Sequence, residues 1–155
     1  MIRGTADKGK WAINIPYARR VGRPSLQVGF QPAETDNAVV VFSHVDNDNF
    51  WFSGVDVTGL LSGTERCVCI GKVATGKLTV EVALPVDTSA EKNMIVQSVI
   101  SEDGAWFRID ASAGGVTAQF KTTPRALPVG RFGFGVFSGR AAILGIPAGV
   151  EEFAV

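Results

Sequence analysis

Apolar and polar residues alternate in short runs from Ser25 to Ile146, and nearly every run stops at a Gly-rich or Asx-rich turn. The clearest stretch is Met94–Phe120, which reads MIVQSVIS, EDG, AWFRIDAS, AGG, VTAQF. Side chains along a strand point to opposite faces in turn, and Asp-Gly or Gly-Gly supplies the positive φ of a tight hairpin. The stretch therefore predicts strand, turn, strand, turn, strand. Repeated along the chain, the pattern predicts an all-β protein, an antiparallel β-sandwich of the jelly-roll kind.

The other elements follow in the same way. Trp11, Ile13 and Ile15 alternate and Pro16 ends the run; Leu26, Val28 and Phe30 alternate and Pro32 closes that one. NAVVVFSHV and FWFSGVDV flank the Asx loop Asp46–Asn49, and their density in Val and Phe predicts strands covered on both faces. Thr64–Val73 and Lys77–Val86 pair around Ala74-Thr75-Gly76, with Leu78, Val80, Val82 and Leu84 expected on one face. Asp87–Asn93 is polar, and the spacing predicts one helical turn capped by Thr88 or Ser89. Pro124 and Pro128 mark a crossing loop before RFGFGVFSG and RAAILGI. No repeat or linker interrupts residues 1–155, so a single domain is expected, with 1–22 as an irregular or edge-strand N-terminal arm.

Composition narrows the function classes. Of 155 residues, 46% are apolar and 19% charged, which describes a core-forming chain. Fifteen basic and fifteen acidic residues cancel, so no global field draws the chain to nucleic acid or an anionic membrane. Arg3, Lys8, Lys10, Arg19, Arg20 and Arg23 crowd the N-terminal arm against Asp7, and a solvated basic arm is the expectation. No signal-peptide pattern or membrane-length apolar run occurs, which predicts a soluble protein. Cys67 and Cys69 share a strand face at the edge of disulfide geometry; reduced packing thiols are expected, favouring a cytoplasmic compartment.

AVVVFSHVDNDNFWF and PVGRFGFGVFSGRAAILGI resemble paired segments of concanavalin A-like and laminin-G-like jelly rolls. The nearest pattern is the 3-keto-disaccharide hydrolase-like domain of unknown function, over roughly Ser25–Ile146. The resemblance implies a jelly roll, loop-bound calcium in some members, and ligands lying on a concave sheet face.

Candidate chemistry is sparse. Retaining glycosidases need paired carboxylates, and no strand carries two Glu in alternation. His44 is the only histidine, near Asp46 and Asp48, and no nucleophile elbow accompanies it. Asp46 and Asp48 are the candidate metal ligands, with calcium the cation such a loop would take. The EF-hand pattern fails, because Trp51 and Val57 stand where Gly and Glu belong. Gly133-Phe134-Gly135 precedes no helix and marks close backbone approach. Trp106, Arg108 and Asp110 alternate on one strand with Ala105, Phe107 and Ile109, so all three are expected to face outward. A flat ring beside fixed donors and acceptors is the mix a sugar site uses. Glu81, with Thr79, is expected to join them. The leading expectation is a non-catalytic carbohydrate-binding sandwich. The alternatives are an assembly module that dimerises through a sheet face and a glycan-acting hydrolase.

Overall fold

The computed structural model describes residues 1–16, 24–89, 93–145 and 151–152. Thirteen strands, all antiparallel, form two sheets among the described residues. They are β1 (Ile2–Thr5), β2 (Trp11–Asn14), β3 (Pro24–Phe30), β4 (Asn37–Asp46), β5 (Asn49–Asp56), β6 (Cys67–Ala74) and β7 (Lys77–Pro85). The rest are β8 (Met94–Asp103), β9 (Trp106–Ala113), β10 (Val116–Thr122), β11 (Arg131–Phe137), β12 (Arg140–Gly145) and β13 (Glu151–Glu152). The seven-stranded sheet runs β1-β12-β3-β8-β9-β10, with β13 also on β3; the six-stranded sheet runs β2-β11-β4-β5-β6-β7. Chain segments β4–β7 and β8–β10 are hairpin runs, and the chain changes sheet between β1 and β2, β2 and β3, β3 and β4, β7 and β8, β10 and β11, and β11 and β12. Among the described residues no helix is long and apolar enough to cross a membrane.

The inner faces form the main core, with Phe30, Phe42, Val40, Val96, Ile100 and Ile109 among its buried residues. A polar link crosses it: Ser98 Oγ donates to Ser53 Oγ at 3.0 Å, and both residues are fully buried.

The six-stranded sheet has a second apolar layer on its other face, built from Val39, Val41, Phe50, Phe52, Cys67 and Cys69. β4 and β5 are thus covered on both sides, as their unbroken apolar runs require. Trp11 closes this layer, with its ring 5.1 Å from those of both Phe50 and Phe52 and 5.0 Å from that of Phe137. Three inter-strand steps separate β2 from β5 in the sheet, roughly 14 Å along the hydrogen-bonding direction. The ring contact therefore means that β2 leans over the sheet. Gly133 permits it, since a Cβ there would meet the Asn14 carbonyl oxygen and Ile15.

Four details differ from the sequence pattern. β1 pairs with β12 although Ile2–Thr5 carries one apolar side chain and no period. β6 starts at Cys67, not Thr64, because Arg66 takes φ 54°. A bulge opposite Ile70/Gly71 breaks the alternation of β7, so Leu78 and Val80 join the second layer while Val82 joins the main core. At Asp87–Ser89 the backbone is not helical; Asp87 Oδ1 accepts from Ser89 N and Oγ at 2.9 and 2.6 Å. The rest of the expected turn includes residues 90–92, outside the described residues.

Candidate functional site

β9 alternates as its sequence predicts. Phe107, Ile109, Ala111 and Ala113 belong to the main core, and the intervening side chains stand on the outer face of the seven-stranded sheet. Trp106 is 50% exposed there, just after the Gly104 turn at φ 64°. Arg108 donates from Nε and Nη2 to Asp110 Oδ2 at 3.2 and 3.1 Å, a two-pronged contact that fixes the guanidinium. Its Nη1 lies 3.7 Å from Asp103 Oδ2, which Lys121 Nζ approaches to 3.0 Å. Trp106, Arg108 and Asp110 are therefore brought together, and Asp103 and Lys121 complete a network of two cations and two anions.

Strand register extends this surface. Gln27, Gln97, Ser112 and Thr117 form one row across β3, β8, β9 and β10. Val99, Asp110 and Gln119 form the next, and Ser101, Arg108 and Lys121 a third. Ser112 and Thr117 hydroxyls bond each other at 2.9 Å. None of these rows is visible in any one strand. The signal was the polar half of each alternation, and only the register assembles it.

Glu81 and Thr79 do not join this face. They lie on β7, at the edge of the other sheet, where the bulge resets the alternation. Glu81 Oε1 pairs with Lys72 Nζ at 3.8 Å, and the Lys72 ammonium sits 5.3 Å from the centroid of the Trp51 ring.

The outer face of the six-stranded sheet offers a sugar little. Its centre is the apolar layer under Trp11, Ile13 and Ile15. At its end, His44 is 4% exposed, stacks on Phe50 at 5.9 Å and shares a 2.9 Å hydrogen bond between Nε2 and Asn47 Oδ1. Its Nδ1 is buried without a partner among the described residues, as is Arg131 Nε. A cleft of about 430 Å³ opens nearby, between Asn49, Lys72 and Pro128. Trp51 on its wall is already committed, donating from Nε1 to the Ala126 carbonyl at 2.8 Å.

Asp46 and Asp48 build a turn. Asp46 Oδ1 accepts from Asp48 N at 2.8 Å and from Asn49 Nδ2 at 3.0 Å. These bonds, the Asn49 amide first, hold the Asp46 carboxyl below its ordinary value. Asn49 Oδ1 in turn accepts from Thr75 N at 3.1 Å, and the Asp48 carbonyl from Gly76 N at 3.0 Å, tying this hairpin loop to its neighbour. Among the described residues no three His, Cys, Asp or Glu side chains group as metal ligands.

No protein-family model matches the sequence. No curated protein matches it either. Solved structures do. The carbohydrate-binding module CBM66 from Bacillus subtilis superposes with a TM-score of 0.64 at 16% identity, over 93% of this chain and 83% of that one. The chain is a jelly-roll β-sandwich. A toad ovary galectin in complex with thio-digalactose gives 0.53 at 14% identity, over 92% and 98% of the two chains. Lactose- and MES-liganded congerin II gives 0.54 at 16%, over 96% and 100%.

Proposed function

We propose that this protein is a non-catalytic carbohydrate-binding domain whose ligand lies on the outer face of the seven-stranded sheet. The observation that carries the reading is Trp106, a half-exposed indole beside a guanidinium locked in place by Asp110. An indole face stacks on the C–H face of a pyranose, and fixed polar groups orient the hydroxyls. The carbohydrate-binding module and the galectins of the same fold support the choice of ligand class.

The surface also suggests the form of the ligand. From Trp106 to Ser112 the face runs six residues, roughly 20 Å of polar strand surface. Its charges cancel, and its rows offer Gln, Ser and Thr amides and hydroxyls. An extended, uncharged oligosaccharide suits this better than a single sugar. The resemblance to the 3-keto-disaccharide hydrolase-like domain implies the same fold, but the two acids of this face are poorly placed for hydrolysis. Arg108 stands between Asp103 and Asp110 and neutralises both, filling the gap where substrate or water would sit.

The test is calorimetric titration with neutral oligosaccharides of increasing length, with calcium and with chelator. Affinity is expected to rise until the ligand spans the face. Trp106→Ala is expected to weaken binding at least tenfold with unchanged circular dichroism. Wild-type affinity in that variant would move the site off this face. No binding by any glycan, with a dimer in sedimentation, would replace the reading with self-association.

A further inference from the structure

The second apolar layer contains two thiols that the proposed function does not use. β6 sets Cys67 and Cys69 on one face, two positions apart, and both are buried. Cys69 is opposite Gly54 on β5 and Ala83 on β7, and Val39 of β4 reaches across Gly54 on the same side. Loop 57–66 roofs the pair. Cys67 Sγ is 3.3 Å from Ser62 Oγ and 3.4 Å from the Thr64 carbonyl oxygen. The roof hangs on one fully buried carboxylate, Asp56, which accepts from Gly59 N, Leu61 N, Ser62 N and Ser62 Oγ at 3.0, 3.2, 2.7 and 2.7 Å.

We propose that Cys67 and Cys69 form a dithiol site beneath loop 57–66 that takes an organic trivalent arsenical as a neutral bis-thiolate adduct. Three features select this chemistry. A direct disulfide is strained, because alternate residues of an extended strand hold their Cα atoms roughly 6.5–7 Å apart, at the limit for that bond. An inserted atom relieves that span. Zinc needs about four ligands, and no third ligand groups with the two thiols among the described residues. Monovalent copper between two thiolates leaves a negative charge beside the buried Asp56 carboxylate, which low dielectric penalises. An arsenical carrying one organic group needs two thiolates and ends uncharged.

The thiols are disposed to react in sequence. A hydrogen bond from Cys69, then one from Ser62, outweighs burial and brings the Cys67 thiol down to about 7. The same bond and deep burial push Cys69 up. Cys67, the more readily ionised of the two, therefore attacks first. The reaction balances without electron transfer: R–As=O and two thiols give R–As(S)₂ and water, the two thiol protons leaving with the oxygen.

The experiment is intact-mass spectrometry of the folded protein treated with phenylarsine oxide in excess monothiol. One adduct is expected, stable to monothiol, released by dimercaptopropanol, and accompanied by a higher Tm. Cys69→Ser and Cys67→Ser are expected to lose the adduct at least ten times faster. Equal retention in either variant would overturn the proposal. So would no adduct on the folded wild type, or a Tm lowered by the adduct, a readout that needs no variant.

Discussion

At Trp106 the side chain is half exposed, so its loss is expected to spare the fold and to weaken the proposed glycan binding. Trp106→Ala is expected to change unfolding free energy by no more than about 0.5 kcal/mol, as surface substitutions do. Asp56 is the reverse case. It is fully buried and satisfies three amides and one hydroxyl of loop 57–66. Asp56→Ala is expected to cost about 3 kcal/mol in urea denaturation, the scale of orphaned donors to a charged acceptor. The sequence shows Asp56 only as one more acid at a strand end. Its weight depends on how the loop curls back, which no periodicity reports. Trp106, Arg108 and Asp110, by contrast, were readable, because a single strand's alternation sets them.

Among elements, β2 shows how glycine shapes a surface. Gly133→Ala is expected to push Asn14 and Ile15 off the sheet, with a cost of about 1–3 kcal/mol as for overpacked sites. Hydrogen exchange should then quicken at 11–14 and leave β7 unchanged; uniform acceleration would place the strain elsewhere. The run Gly133-Phe134-Gly135 announced close approach in the sequence but not which strand approaches. β7 failed for a related reason. Its LTVEVAL pattern alternates cleanly, yet one bulged residue moves every later side chain to the other face. Glu81 was misplaced with it, since partners across sheets follow topology, not spacing.

For the whole molecule, the architecture was legible because nearly every strand and turn carries its own signal. The joining of the sheets was not. Ser53 and Ser98 meet only in three dimensions, 45 positions apart. Ser98→Ala is expected to destabilise by about 1–2 kcal/mol by orphaning Ser53, and adding Ser53→Ala should recover part of it, a coupling that a double-mutant cycle measures. Acid gives a second global expectation. The Asp46 and Asp87 carboxyls both sit below 3.8 in the folded state. Their contribution is complete above that value and fades as pH falls through the lowered ones, so Tm should hold to about 4 and drop below it. Asp46→Asn should blunt the drop.

The chain's three tryptophans occupy three different layers. Trp11 lies in the apolar layer of one sheet, Trp51 in the core between sheets, and Trp106 in solvent on the far face. Their emission should therefore divide by colour, blue from the two packed indoles and red from Trp106. A glycan settling on the polar face would shift the red band alone. Detachment of β2 would redden Trp11 while leaving Trp106 as it was. One spectrum thus separates occupancy of the sheet surface from loosening of the opposite side.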